Sequence, residues 1–526
     1  MAKLKPFILP TLLLSAMVIG IPAEAAPKAK KEAAPKAQSA KASKVNTPKA
    51  QQGKKDSSSP APTSQQAKAE SHPFVMALMR AYECNPEFKA RLADFYGKAE
   101  AVPRALAEWF PTLSLSTGAS RNITRTDRVI STGGLFGPAG YRKAGKNNAR
   151  TSTYSAAIEL RQNLFSSGRT VAATNAAEYG VLAAAAGVVN AEQSLLLSAA
   201  QAYLDLWAAE AAVEYNRANV KFLKKTMDQA RARYELGDLT LTDLAQAEAG
   251  LAQGQTSLIN AQARVQDARA VYLQIIGEEP SALTLPEGIL EQVELPKTVN
   301  DLVMIAQKDS PSIVAANYSQ KAAESNISQA QAAFGPSVDL RASASRSIAK
   351  RRPLTETSPH FNPTNQADVG VTLSLPIFQG GKDWSQLREA TQQAYQARYS
   401  LANAQRAAAQ AATQAWDKWR SSEQAVAMYK SQVRAAEIAR EGAFQESLVG
   451  ERTIIDVLKS EEVLLQARTS LVQAKRDFLL ARFQLLASIG QLTVTSLGLP
   501  VERYNVEQYA DDVKFKLIGL GNIENK

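Results

Sequence analysis

Two periodic patterns of apolar and polar residues alternate along this chain. After Phe110-Pro111 and again after Gly335-Pro336, apolar residues recur at every second position, which is typical of a β-strand with one apolar face. Two other stretches, at about 170–234 and 384–444, are rich in alanine and glutamine and contain no proline. They predict two long, uninterrupted helices.

The alternating stretches come in two pairs, and each pair encloses a segment rich in Gly, Pro, Arg, Lys and Asn. We predict four strands of about 9–11 residues, the length that a tilted strand needs to cross a bilayer, with loops at about Asn122–Arg150 and Ile348–Asn365. Four strands cannot close a barrel, and open edges in lipid leave backbone groups unpaired. Membrane-spanning strands would therefore need several chains in one barrel. The pattern also fits a soluble four-stranded sheet on a helical protein.

Each predicted return helix, together with the segment before the strands, has about the length of one long helix. The two long helices would each reach roughly 90–100 Å, whereas the return helices, about Leu241–Ile276 and Ile454–Ile489, would reach roughly 54 Å. The segments before the strands, Asn85–Trp109 and Ser310–Phe334, would add roughly 37 Å if stacked end to end on the return helices. We therefore predict a helical barrel of even height. A heptad seam on the return helices indicates coiled-coil packing, which a simple two-helix coiled coil would also explain.

The chain contains two copies of one unit. Asn85-Pro86 and Phe110-Pro111 match Ser310-Pro311 and Gly335-Pro336, 225 residues later. LFSSG, LGDLTLTDL and Ile276-Gly277 match IFQGG, VGERTIIDV and Ile489-Gly490, 213 residues later. Constant offsets on either side of one length change indicate duplication. We assign residues 71–295 to the first repeat, 296–490 to the second, and 491–526 to a C-terminal periplasmic tail.

The N-terminal region predicts export. Two lysines, an apolar run and the sequence Ala23-Glu24-Ala25 form a signal peptide at residues 1–25. Residues 26–70 form a disordered extension rich in Ala, Lys and Pro, whose net charge of +7 is most of the chain's +11. It serves as a soluble tether or is attracted to an anionic envelope polymer.

The residues that usually carry chemistry are sparse. Cys84 is the single cysteine, and His72 and His360 are the only histidines, which gives no disulfide or metal pattern. We find no nucleophile motif and no phosphate-binding loop. The sequence therefore predicts no enzyme activity, no catalytic residue, no cofactor and no metal, and an exported chain gives no reason to expect nucleic acid as a partner.

The duplicated order, the strands that follow proline, LFSSG, IFQGG and GERTIIDVL together resemble the TolC family of outer-membrane channels. The resemblance covers about Pro73–Gly490, and the second elbow is most similar to members that serve type I secretion. It implies an α+β fold: a homotrimer with four transmembrane strands per chain forms a 12-stranded barrel in outer-membrane lipid. That barrel continues into a periplasmic helical tunnel. At its tip the tunnel would meet a periplasmic adaptor and an inner-membrane transporter (ABC or other).

The two elbows between the helices are the candidate functional site. Gly237 and Gly450 suit the left-handed position that ends a helix. Thr240 with Asp243, and Thr453 with Asp456, fit helix-capping boxes, which explain both aspartates without any gating role. We expect adaptor docking at Leu236, Gly237, Asp238, Val449, Gly450 and Glu451.

The elbows differ at one position, where Arg452 of the second corresponds to Leu239 of the first. The resemblance implies that Arg452 and Asp243 form part of a latch that closes the tip, and that Asp456 contributes to a cation-favouring ring. Two residues depart from the family pattern: Ser447 replaces a tyrosine, and Lys459 replaces a second acid and could pair with Asp456.

The sequence thus favours a passive outer-membrane conduit for substrates that an inner-membrane transporter and a periplasmic adaptor deliver, in type I protein secretion, multidrug efflux or both. The alternative is a periplasmic coiled-coil adaptor or scaffold, which also has long helical hairpins. The cargo cannot be read from the sequence.

Overall fold

The structure, a computed structural model, describes residues 72–131, 141–286, 298–353 and 360–516, together with 296 and 519. The predicted signal peptide (1–25) and basic extension (26–70) lie outside the described residues. Everything below concerns the unit Pro62–Lys526.

Both repeats follow one order of elements: short helices, a β-hairpin, a long helix and a return helix. The first repeat contains α1 Pro73–Cys84, α2 Pro86–Ala99, α3 Ala101–Leu106, a 3-10 turn Ala107–Trp109, β1 Thr112–Ser131, β2 Tyr141–Phe165, α4 Arg169–Glu235 and α5 Leu241–Ile276. The second contains α6 Val299–Asp309, α7 Pro311–Ala332, β3 Ser337–Pro353, β4 His360–Ser374, α8 Lys382–Leu448 and α9 Ile454–Ser488, and α10 Val506–Lys514 follows it.

The predicted long and return helices are confirmed. The two long helices, α4 and α8, have 67 residues each, and the return helices α5 and α9 have 36 and 35. Among the described helices, α4 alone is long and apolar enough to cross a membrane by composition. Its Leu196, Leu204 and Leu206 are fully buried in the helical core, so this apolar run serves packing.

The predicted end-to-end stacking is also confirmed. The side-chain amide of Asn85, which caps α2, donates to the carbonyl of Ile275 at the end of α5 over 2.9 Å. In the second repeat, Gly490 lies against Asp309 and Pro311, where α6 passes into α7. In each repeat the return helix therefore ends where the helix that leads to the hairpin begins, and the two together approach the length of the long helix.

One helix prediction was wrong in detail. The segment Asn85–Trp109 is not one helix, because α2 ends at Ala99 and a short α3 and a 3-10 turn follow. Pro103 has no N–H to donate to the carbonyl of Ala99, and its ring would clash with that carbonyl in a continuous helix. The matching segment of the second repeat has no internal proline, and α7 runs unbroken for 22 residues.

The four strands form one antiparallel sheet in the order β1-β2-β3-β4, so β1 and β4 are open edges. The strands have 20, 25, 17 and 15 residues and are longer than predicted. Much of the predicted loops Asn122–Arg150 and Ile348–Asn365 is therefore strand. Backbone pairing does not require apolar side chains, so the Ser-, Thr- and Arg-rich stretches continue the ladder beyond the apolar alternation.

The C-terminal segment packs against the first repeat. Up to Lys516 it packs on α1–α4, and it buries Leu492, Val494, Leu499, Val506 and Val513 in the same core as α1 and α4. The ring of Tyr504 lies 5.5 Å from that of Tyr82, and Tyr509 lies 4.2 Å from Tyr96. The segment lies outside the duplication, yet it completes the core that the two repeats share.

Candidate functional site

Each elbow is a tight helix-to-helix turn built on one glycine. Gly237 has φ of +80° and Gly450 has φ of +83°, in the left-handed region as predicted. The following residue closes the turn, because the amide of Asp238 donates to the carbonyl of Arg233 (2.9 Å) and that of Glu451 to Glu446 (3.0 Å). This six-residue closure is the Schellman pattern, which satisfies carbonyls at a helix end.

The predicted caps are present at the start of both return helices. Asp243 accepts from the amide and the hydroxyl of Thr240 at 3.2 and 2.7 Å, and Asp456 accepts from those of Thr453 at 3.3 and 2.7 Å. The hydrogen bonds from Thr453 lower the pKa of the Asp456 carboxyl below its usual range, and the charges of Arg452 and Lys459 act in the same direction. An anionic Asp456 in the first turn of α9 opposes the helix dipole favourably.

Arg452 does not pair with Asp243 within one protomer. Its guanidinium lies 2.5 Å from Glu446 of the same elbow, and the side chain is half exposed. Asp243 is held by Thr240 on the other hairpin. The pair Arg452–Asp243 therefore stays a prediction.

The elbows also differ in charge at a second position, which was not predicted. Glu446, the partner of Arg452, corresponds to Arg233 in the first repeat, 213 residues earlier. Arg233 reaches across to the second hairpin and donates to the carbonyl of Ser447 over 2.9 Å. Extending the alignment of the elbows three residues before Leu236 and Val449 would have revealed it: Arg233 and Leu239 of the first elbow align with Glu446 and Arg452 of the second.

Leu239, the counterpart of Arg452, has a packing role. It lies against a buried cluster of Ala230, Leu244, Ala247 and Ile454, in which the first hairpin meets the second. The first elbow is therefore fixed to its neighbour by apolar packing and by Arg233. The second elbow has an exposed ion pair at the same position.

A groove of about 740 Å³ runs beside the elbows, between α4, α5 and α9. Its lining is mostly polar, with Asn216, Gln253, Lys459 and Glu462 among its residues. At the tip itself, Leu236 and Val449 are 78% and 72% exposed. Exposed apolar side chains next to a polar groove are features of a surface that contacts a partner.

The sheet has one apolar and one polar face. Rows of directly paired residues on the apolar face include Leu113–Leu160–Ala342–Val369 and Leu115–Ile158–Ala344–Ala367. Most of these apolar side chains are exposed in the single chain; Leu113 and Val369 have exposed fractions of 72% and 79%. An exposed apolar face with two open edges is what a strand set destined for lipid and for other chains requires.

The opposite face carries charges of both signs. Its rows include Ser114–Glu159–Ser343–Asp368 and, next to it, Thr112–Arg161–Arg341–Gly370. Asn163 donates to Asp339 across the strands over 3.1 Å, so this face is cross-linked by polar contacts. A water-filled barrel interior has this character.

Among the residues that the structure describes, no three His, Cys, Asp or Glu side chains are arranged to hold a metal ion. The candidate site consists of ion pairs, helix caps and apolar packing at the elbows, together with a sheet that has one apolar and one polar face.

Comparison with known proteins agrees with this geometry. A family model described as outer membrane efflux protein matches residues 78–278 and 302–491, which contain both hairpins and both elbows. The outer membrane efflux protein BepC of Brucella suis is 31% identical over 444 residues, which cover 84% of this chain and 91% of that protein. The outer membrane protein TolC of Escherichia coli is 27% identical over 434 residues, covering 80% and 83% respectively.

A solved structure shows the same fold. The outer membrane protein VceC of Vibrio cholerae superposes with a TM-score of 0.61 at 23% identity, covering 82% of this chain and 99% of that one. The similarity therefore includes the sheet, the long hairpins and the short helices.

Proposed function

The chain belongs to the outer membrane efflux protein family, and from this premise we propose that it is a passive export conduit whose periplasmic tip is latched through Arg452. Membership places the sheet in the outer membrane and the helical hairpins in the periplasm. The observation that carries the proposal is the asymmetry of the elbows: one is fixed by packing, and the other exposes an ion-paired arginine.

A conduit needs no chemistry of its own, and the polar face of the sheet supports this role. If three chains close one barrel, their apolar faces contact lipid and their polar faces line a wet lumen. A periplasmic adaptor or scaffold would have no use for an exposed apolar sheet, so we do not retain that alternative. The cargo, protein or small molecule, is set by the partner transporter; the VGERTIIDVL elbow favours type I secretion.

We propose that the latch is a contact between protomers, in which Arg452 of one chain exchanges Glu446 for Asp243 of its neighbour. Charge-assisted pairs are directional and breakable, and each exposed pair contributes about 0.5 kcal/mol. Three symmetry-related pairs would sum to about 1.5 kcal/mol, which changes the open population by about tenfold. Asp456 and Lys459 would stand near the opening, with Lys459 weakening a cation-favouring ring.

Single-channel conductance of the purified trimer tests the latch. We expect Arg452→Ala, and Asp243→Asn, which keeps a cap acceptor, to raise the open probability about tenfold. Glu446→Gln is the matched control, since it removes only the partner within the elbow and should leave the channel closed. Unchanged conductance of Arg452→Ala would contradict the latch. Opening by Glu446→Gln but not by Asp243→Asn would place the latch within one protomer.

We propose that an adaptor docks on the elbows, around Leu236, Gly237 and Asp238 of the first and Val449, Gly450 and Glu451 of the second. The exposed apolar side chains Leu236 and Val449 supply the contact area. A charged side chain at either position would have to be desolvated on docking and would weaken binding. We expect Leu236→Asp/Val449→Asp to abolish export in cells while the purified trimer keeps its conductance. Replacing exposed Leu448 by Asp is a neighbouring control. Normal export by the double variant would contradict docking at this site.

A further inference from the structure

The lipid-facing side of the sheet carries a belt of basic residues near the hairpin ends. We call this set the basic belt; all its members are exposed, and they are Arg121, Arg125, Arg150, Arg346, Lys350 and Arg352. The function proposed above does not use these residues, because they lie on the opposite face from the lumen.

Strand register assigns the belt to the outer face. Directly paired residues share a face, and the row Arg121–Ser152–Lys350–Phe361 lies an even number of residues from the apolar row that begins at Leu113. The next row brings Arg150 directly opposite Arg352. The register is continuous between these rows, so no bulge transfers the belt to the other face.

The height of the belt matches a membrane surface. On β3 the apolar band runs from Val338 to Ile348, interrupted near its edge by Arg346. It measures about 33 Å along the strand and about 25 Å in height at a tilt of about 40°. Lys350 and Arg352 lie just beyond this band, on the side away from the helices. Since the helices are periplasmic, this side is the outer leaflet. Tyr154 and Phe361 lie at the same level, and the Lys350 ammonium is 5.1 Å from the Phe361 ring centre, as in an interfacial aromatic girdle.

The charges of the belt are of one sign. The acids among the described strand side chains, Glu159, Asp339 and Asp368, all belong to the polar face. The lumenal pair Arg161–Arg341 therefore has carboxylates in the adjacent rows, whereas the rows next to the outer pair Arg150–Arg352 on its own face, Arg121–Ser152–Lys350–Phe361 and Arg125–Asn148, contain none. Like charges directly opposite each other are destabilising unless an anion lies between them.

We propose that the basic belt binds the phosphate groups of the phosphorylated glycolipid in the outer leaflet, with Arg150 and Arg352 as its central clamp. Guanidinium groups bind phosphate through two parallel hydrogen bonds, and the paired arginines present two such groups to one ligand. Long basic side chains near the band edge, such as Arg346, extend along the apolar surface to reach the head groups. The trimer would thus be encircled by bound lipid.

The test compares two cross-strand arginine pairs with the same chemistry on opposite faces. Trimers of the wild type, of Arg150→Gln/Arg352→Gln and of Arg161→Gln/Arg341→Gln are purified, and bound bisphosphorylated lipid A is counted by native mass spectrometry. Lipid A is then added back, with its phosphates intact or enzymatically removed. Single-channel conductance verifies that each variant forms a channel, so a failed channel is distinguished from failed lipid binding.

We expect the outer-face variant to retain about tenfold less lipid A, the effect of losing about one charge-assisted hydrogen bond, and the lumenal variant to match the wild type. Removing the phosphates should reduce wild-type binding to the level of the outer-face variant. Equal retention by the outer-face variant, equal loss in the lumenal variant, or equal binding of dephosphorylated lipid would overturn the proposal. Equal binding of phosphatidylglycerol would overturn the assignment to the outer-leaflet glycolipid.

Discussion

At the residue scale, glycines at matching positions of the two repeats serve different purposes. Gly277 and Gly490 end the two return helices with nearly equal φ, +88° and +79°. A Cβ added at Gly277 would meet only Cys84 at 3.9 Å, whereas at Gly490 it would lie 2.7 Å from the carbonyl oxygen of Asp309. At Gly277 glycine is needed only for the left-handed backbone conformation of the turn. At Gly490 it is also needed because a larger residue would not fit against the Asp309 backbone.

This difference predicts unequal effects of one substitution. Gly277→Ala should lower stability by about 1 kcal/mol, the cost of a left-handed alanine. Gly490→Ala should cost about 3 kcal/mol or more, because the Asp309 backbone must also move. Thermal unfolding of the two purified variants measures this, with Gly277→Ala as the matched control. Equal unfolding temperatures for the two variants would show that the close approach at Gly490 does not affect stability.

Another single residue, Glu192 on α4, holds the C-terminal segment. Its side chain is 3% exposed, accepts from the amide of Val494 over 2.8 Å and lies 3.9 Å from Arg503. Burial raises the pKa of the Glu192 carboxyl above its usual range, although the Val494 amide and Arg503 oppose the shift. A raised carboxyl pKa means that the folded state binds the proton more tightly than the unfolded one, so stability falls as pH rises through the raised value.

We therefore expect hydrogen exchange at the Val494 amide to become faster as the pH rises from the ordinary carboxyl range towards neutral, beyond the intrinsic pH effect on exchange. Glu192→Gln should remove this extra dependence. Glu461→Gln is the control, since burial also raises the pKa of Glu461, but that residue lies about 40 Å away along α9 from its C-terminal end. A persisting dependence in Glu192→Gln would mean that another group holds the segment.

At the element scale, the strands show how far side-chain alternation extends. The apolar band occupies the middle of the ladder, and polar residues continue the same pairing towards the hairpin ends. Backbone hydrogen bonds determine the length of a strand, whereas the apolar band determines its position in the membrane. A strand can therefore extend beyond the membrane-embedded band. On β1, Leu115 lies on the apolar face and Ser116 on the polar one.

These neighbours provide a direct test of which face contacts lipid. Leu115→Arg should reduce the yield of trimer in the outer membrane, since arginine at mid-depth costs about 2–4 kcal/mol. Ser116→Arg should insert normally and change ion conductance, because its charge would enter the lumen. Trimer yield in membrane fractions and conductance in bilayers measure the two effects. Tolerance of Leu115→Arg together with loss of Ser116→Arg would reverse the assignment of faces.

At the scale of the whole molecule, the two repeats are joined by contacts that differ between them. Arg476 on α9 donates to Asp205 on α4 over 2.6 Å and links the second hairpin to the first. The C-terminal segment packs on the first repeat, and Arg233 joins the elbows at the tip. The duplicated chain is therefore fixed along its length within the protomer, which leaves the two sheet edges and the exposed side chains of both elbows for contacts with other chains.

Periodicity alone determined much of this protein. Uninterrupted alanine-rich runs predicted α4 and α8, capping residues predicted the starts of α5 and α9, and alternation predicted the two faces of the sheet. These features depend on near neighbours, three or four positions away in a helix and two positions away in a strand. Tertiary structure decided what depends on distant residues: the strand lengths, the docking of the C-terminal segment, the close approach at Gly490, and the reach of Arg233 to Ser447. Groups that lie hundreds of positions apart in the chain meet only after the repeats pack. The local pattern of apolar and polar residues does not specify which of these distant groups will be in contact.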